Sequence, residues 1–291
     1  MAYNFENMQA EIDGKYIEVN KDLILRDAIL GEAYGDTIPL MAKQFGVKGT
    51  EAIHPTTVDA QLQDVTGCGF KAQGGLNISE RLIETKQKKV EMEFCEEELI
   101  NKFINYKVRV GADEGALPFE GELIDSVVKS INKSVETDVW HIILTQLGLD
   151  GETLANGTSA YDAVMKAYMA IPVEILDDAV IFVNPAIFRA YVAELVAKNL
   201  YHYNPADGNL NEMFLPGTGV KVRMARGIQT NDILATTPKN LIYGTDFINN
   251  KEEVKVWYSD DDDVYRLKVR FNYGVQVAFP DLCRKFTIAQ E

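Results

Sequence analysis

Residues 118–148, PFEGELIDSVVKSINKSVETDVWHIILTQLG, constrain the fold more than any other stretch. Ile124, Val127, Val128, Ile131, Val135, Val139, Ile142 and Ile143 recur at helical spacing, which predicts one apolar helix face. Pro118 suits a first helical position and Gly148 the residue past the end. Asp125, Lys129, Lys133 and Glu136 mark the expected polar face. A helix of this length runs about 40 Å, long for a compact domain. It is either a long core helix or a spine along one side of a flat subunit.

With 291 residues, 46% of them hydrophobic, the chain can bury a core and form one or two domains. Its formal net charge of -15 argues against nucleic-acid or anionic-membrane binding driven by counterion release. An acidic surface that encloses DNA without gripping it stays compatible with that charge. The cysteines, Cys68, Cys95 and Cys283, are widely spaced and suggest buried thiols in a reducing cytoplasm. No signal peptide and no apolar run long enough to span a membrane are evident in the sequence.

Before the helix, residues 1–57 read as a loose arm with a short helix over 21–34, then Gly35, Pro39, Gly46, Gly49 and Pro55. Residues 56–98 read as a projecting hairpin with a glycine-rich turn region. Its return limb ends KKVEMEFCEEE, where Val90, Met92 and Phe94 alternate with Glu91 and Glu93. Arg81, Lys86, Lys88 and Lys89 give this limb a basic character. A solvated face is the plain reading; contact with a neighbouring subunit's acidic surface is the functional one. A short helix over 96–106 and a strand over 107–110 complete the approach to the spine.

After it, Ser159 and Asp162 have capping-box spacing, and Val164, Ala167, Tyr168 and Ile171 form a stripe. The run AVIFV predicts a central strand. Asn184-Pro185 then opens a helix bearing Ile187, Phe188, Tyr191, Val192, Leu195 and Val196. Residues 201–219 form a long irregular loop of the kind that tends to serve function or an interface. Strands are predicted at 220–224, 232–235, 253–258 and 264–277, with SDDDD as a solvated tip. Arg266, Lys268 and Arg270 share one strand face and are expected to meet acids elsewhere.

No catalytic, cofactor-binding or metal constellation stands out. His54, His141 and His202 are isolated, with His141 expected to be a satisfied structural histidine. The phosphate-loop, nucleophile-elbow and zinc-protease motifs are missing, and the aspartate run lacks calcium-loop spacing.

VIFVNPAIFRAYVAEL, FLPGTGVKVRMARGI, ILATTPKNLIYGTDF and VYRLKVRFNYGVQVAFPDLCRKF, in that order after a long helix, resemble the tailed-bacteriophage major capsid proteins of the Hong Kong 97 type. The resemblance covers about residues 96–291, and the arm and hairpin by position only. It implies an α+β fold with an N-terminal arm (1–57), an extended loop (58–95), a peripheral domain (96–158 and 250–291) and an axial domain (159–249). It further implies a non-enzymatic subunit, without cofactor, that self-assembles as pentamers and hexamers into an icosahedral head around double-stranded DNA. Assembly would take place in the bacterial host cytoplasm. Lys86, Lys88, Lys89, Val90, Met92 and Phe94 would then contact a neighbouring subunit. Expected partners are a portal, a separate scaffolding protein, since no scaffold-like helical prefix is present, and decoration proteins as an option. The alternative with the same fold is an encapsulin-type nanocompartment shell.

Overall fold

The computed structural model describes residues 37–64, 73–95, 119–146, 151–200, 211–246, 254–259, 261–262 and 264–289, with Ile24, Asp27, Ala28 and Leu30. The expected helix at 96–106, strand at 107–110, the Gly67-Cys68-Gly69 part of the glycine-rich turn region, helix-flanking Pro118 and Gly148, and the 201–210 part of the loop at 201–219 lie outside those residues.

Helix α1 (Phe119–Gln146) is the long helix that the sequence predicts. Ile124, Val127, Val128, Ile131, Val135, Val139 and Ile143 are buried as the periodicity predicts, joined by Trp140 and Leu144. Asp125, Lys129 and Lys133 are exposed. Glu136 departs from the expected polar face: it is buried, and the Thr37 hydroxyl donates to its Oε1 at 2.8 Å. A buried carboxylate is retained when it is hydrogen-bonded. Helical Ile24, Ala28 and Leu30 of the arm pack on this core, and Asn132 Nδ2 donates to the Asp27 carbonyl at 2.8 Å.

A five-stranded sheet lies against α1. It contains β1 (Ala42–Phe45), β6 (Lys86–Cys95), β12 (Leu241–Thr245), β13 (Val254–Ser259) and β14 (Val264–Val277). Strand β14 organises it. Leu267, Val269, Phe271, Tyr273 and Val275 point to α1, while the even-numbered residues from 264 to 272 point the other way. Both β6 and β13 pair with residues 264–269 of β14, so they flank it on opposite edges.

A six-stranded sheet has the order β7-β15-β11-β8-β10-β9. Its strands are β7 (Glu152–Leu154), β8 (Val180–Val183), β9 (Glu212–Phe214), β10 (Lys221–Met224), β11 (Asp232–Thr236) and β15 (Arg284–Ile288). Helices α2 (Ala160–Met169) and α3 (Pro185–Ala197) pack on Ile181, Val183, Ile233 and Ala235. The opposite face presents Phe182 and Leu234 to the α1 core, where the Trp140 and Phe182 rings are 5.0 Å apart. Cover on both faces explains the uninterrupted apolar run at β8.

The caps follow the sequence. Ser159 Oγ accepts from Asp162 N at 3.1 Å, and Asn184 Oδ1 accepts from Ile187 N at 2.7 Å. The α2 N-terminus gains a second acceptor that sequence spacing did not show. Glu194 of α3 takes Ala160 N at 3.0 Å and Tyr161 N at 3.1 Å.

The division at residues 158/159 and 249/250 cuts across both sheets. Strand β12 pairs with β14 in the five-stranded sheet, whereas β7 and β15 pair in the six-stranded one. Local pattern does not encode such long-range pairings.

Candidate assembly surfaces

Strands β2 (Thr50–Ile53) and β5 (Arg81–Glu84) form the root of a hairpin, and β3 (Thr56–Ala60) and β4 (Gly74–Ile78) its outer part. The root crosses the five-stranded sheet on the face away from α1. Gly244 and Gly274 oppose each other there, leaving a patch without side chains. A Cβ on Gly274 would lie 2.1 Å from the Glu84 carbonyl oxygen, and one on Gly244 2.6 Å from Ile83 Cδ1. Ile83 fills that patch and is fully buried. Gln276 Nε2 donates to the Leu82 carbonyl at 2.8 Å, and Thr85 N to the Gly49 carbonyl at 2.7 Å.

Beyond the root the hairpin has one apolar face. Val58 opposes Leu76, and Ile78 opposes Thr56, so all three apolar side chains share a side. Their exposures are 70%, 63% and 58%. Thr57, Asp59 and Asn77 occupy the other side. Nothing in the described chain covers the apolar face, and a two-stranded ribbon is marginal in water.

The residues singled out on the return limb sit elsewhere. Residues 86–95 do not belong to the hairpin; they form β6, paired with ten residues of β14. Val90, Met92 and Phe94 do alternate, but their cover is the chain's own α1 core. The three lysines separate. Lys88 faces α1 and pairs with Asp138 at 3.0 Å; Lys86 lies 3.9 Å from Glu84. Lys89 faces outward and pairs with Glu91 at 2.7 Å.

Asp138 ties α1 to two strands, accepting from Lys88 of β6 and from the Tyr273 hydroxyl of β14 at 2.5 Å. Burial pushes its carboxyl up, but the bonds from Tyr273 and Lys88 outweigh that and hold it below its ordinary value. Burial and the Asp138 bond push the Tyr273 phenol far upward, so it remains a donor. His141, expected to be a satisfied structural histidine, is exposed on α1.

The outward face of β6, β14 and β13 carries a charge ladder. Arg266 pairs with Glu93 at 3.0 Å and Asp262 at 2.6 Å, and Lys268 with Glu91 at 3.6 Å. These are the acids expected for Arg266 and Lys268. Among the described residues Arg270 meets none; it opposes Lys89.

A groove of about 830 Å³ runs along α2, with Met165, Met169, Ala170 and Phe286 as its apolar lining and Asp162 and Lys166 at the rim. Met169 is 77% exposed. Among the described residues no cluster of His, Cys, Asp or Glu could hold a metal ion, and no helix is long and apolar enough to cross a membrane.

This arrangement recurs in solved structures. The satellite phage P4 procapsid, which includes the size-determination (Sid) protein, contains a chain with a TM-score of 0.64 at 11% identity, covering 98% of each chain. The chain shares its fold with phage capsid structures. The mature capsid of bacteriophage PhiM1 gives a TM-score of 0.52 at 11% identity, covering 87% of this chain and 86% of that one. A virus-like particle from Pyrococcus furiosus gives 0.54 at 10% identity, covering 94% and 99%. No family model and no curated protein matches the chain. The α+β capsid fold expected from the sequence is therefore present.

Proposed function

We propose that this chain is the major shell subunit of a tailed-bacteriophage head, with no catalytic role. It would assemble with copies of itself into a closed icosahedral particle around DNA, in the host cytoplasm. Portal, scaffolding and decoration proteins are the partners such a particle would use. The observation that carries this reading is the hairpin, whose apolar face at Val58, Leu76 and Ile78 has no cover within the described chain. A shell subunit supplies that cover by laying the hairpin on another copy. Repetition of one such contact extends a closed lattice. The acidic balance fits a container that must not bind its contents tightly.

Replacing residues 56–78 with a short Gly-Ser linker tests this, because it spares the root and β6. The expected product has the wild-type circular dichroism spectrum and builds no particles by electron microscopy. Particles from that variant would overturn the reading. The nanocompartment alternative has the likeness to the Pyrococcus furiosus particle in its favour. Particle contents separate the two: nuclease-resistant double-stranded DNA supports a phage head, and a packaged protein supports a nanocompartment.

A further inference from the structure

The outward face of the five-stranded sheet is basic in an acidic protein. Lys255 opposes Lys268, and Arg270 opposes Lys89, so two like-charge pairs stand side by side across β14. Directly opposed like charges destabilise a sheet. Glu91 serves both Lys89 and Lys268. Among the described residues Lys255 and Arg270 have no ion-pair partner. Trp257, 42% exposed, lies on the same face opposite Arg266.

The same two strands carry the opposite charge at their tip. Asp261 and Asp262 are exposed in the turn between β13 and β14. Asp262 is taken by Arg266, while Asp261 has no ion-pair partner among the described residues. The strands hold the two charge groups apart. From Asp262 to Lys268 and Arg270 the chain runs about 20–26 Å at the rise of a strand. That exceeds the distance of about 8–10 Å over which exposed charges act at ordinary salt. Within one chain Asp261 cannot neutralise Lys255, Lys268 and Arg270.

We propose that the β13–β14 tip of one copy docks on the outward sheet face of a second copy, Asp261 meeting Lys255, Lys268 and Arg270. The contact rests on the shell reading and adds a surface distinct from the hairpin's apolar face. Charge pairs of this kind set register and orientation more than affinity. They also make assembly salt-sensitive.

Carbodiimide crosslinking of particles built from an equal mixture of ¹⁴N and ¹⁵N chains tests the contact. Mixed-isotope peptides joining Asp261 to Lys255 or Lys268 are expected. Asp261→Lys alone, and Lys255→Glu with Arg270→Glu, should each keep the wild-type circular dichroism spectrum and lower particle yield about tenfold. The triple variant combining them should regain most of the yield, because the charges are exchanged rather than lost. Particles lacking the crosslink, reversed variants that assemble normally, or a triple variant that does not recover would overturn the contact and leave the shell reading standing. So would a Lys255→Glu, Arg270→Glu protein that assembles normally but retains less DNA. Wild-type protein that forms no particles under any condition would overturn the shell reading, and this contact with it.

Discussion

Gly274 lies directly beneath the backbone of Glu84: a Cβ there would sit 2.1 Å from the Glu84 carbonyl oxygen and 3.1 Å from Thr85 Cα. The hairpin root thus crosses the sheet at a distance that only glycine permits. The neighbours are backbone atoms, so they cannot swing aside. The opposed Gly244 widens the patch, and Ile83 closes it. How the hairpin leaves the body is therefore set by two residues with no side chain.

Gly274→Ala should lift the root off β14. We expect a loss of about 1–3 kcal/mol in unfolding free energy, the range for overpacking a close contact. Hydrogen exchange should show lost protection at Leu82–Glu84 before the rest of β5's surroundings. Wild-type stability and protection would show that the crossing is looser than these distances say.

Trp140 ties α1 to the six-stranded sheet and to the segment before β1. Its ring lies 5.0 Å from Phe182, and Nε1 donates to Thr37 Oγ1 at 3.0 Å. Trp140→Ala should cost about 3–5 kcal/mol through the cavity it leaves. Trp140→Phe keeps most of the packing and loses the hydrogen bond, a cost of about 1 kcal/mol beyond the smaller ring. Urea unfolding of the two variants measures both; equal effects would assign the whole cost to the bond with Thr37.

Much of this fold is written in local pattern. The stripe on α1, the Ser159 and Asn184 caps and the alternation of β6 and β14 all appear as expected, because each depends on residues a few positions apart. The partner of a strand does not. Alternation at Val90, Met92 and Phe94 says that one face is covered, but not by what. The answer lies in β14, where Arg266 reaches Glu93 across 173 positions. The sequence pattern consequently extended the hairpin through β6 and assigned its basic residues to a neighbour. Glu136 and Glu194 were invisible for a related reason: their partners, Thr37 and the α2 N-terminus, come from distant segments. The surfaces were half legible. The hairpin was, whereas its apolar face needed the register of β3 on β4.

Glu194 places a carboxylate on the free amides of Ala160 and Tyr161, where the helix dipole favours negative charge. Glu194→Ala should cost about 0.5–2 kcal/mol, the range for losing an N-terminal cap. Glu194→Gln should cost less, because its amide oxygen can still accept one of the two bonds. Adding Ser159→Ala should deepen the loss, since Ser159 supplies the acceptor for Asp162 N. Thermal unfolding of the three variants would show the order; an unchanged midpoint in Glu194→Ala would mean that solvent replaces the cap at no cost.

Asp138 makes stability depend on pH in a definite direction. Its carboxyl is held below the ordinary value of 3.8 because Tyr273 and Lys88 bond the charged form. A group whose folded value is depressed contributes stability that is fully present above the unfolded value and is lost as pH falls through the folded one. At pH 7 the contribution is complete. Asp138→Asn keeps the shape and an acceptor for Tyr273 but gives up the charge that holds Lys88. We expect it to lower unfolding free energy at pH 7 by about 1–2 kcal/mol, as for a hydrogen bond to a charged group. The gap between wild type and variant should hold down to about pH 4 and close below the value of 3.8, as the wild-type carboxyl itself takes up a proton. Denaturant titrations at pH 7, 5 and 3 would follow it. Lys88→Met separates the two bonds: it removes the ion pair and leaves Tyr273 donating to Asp138, so it should narrow the same pH window without abolishing it. A gap that stays constant from pH 7 to pH 3 would mean that the Asp138 charge is not what holds β6 and β14 to α1.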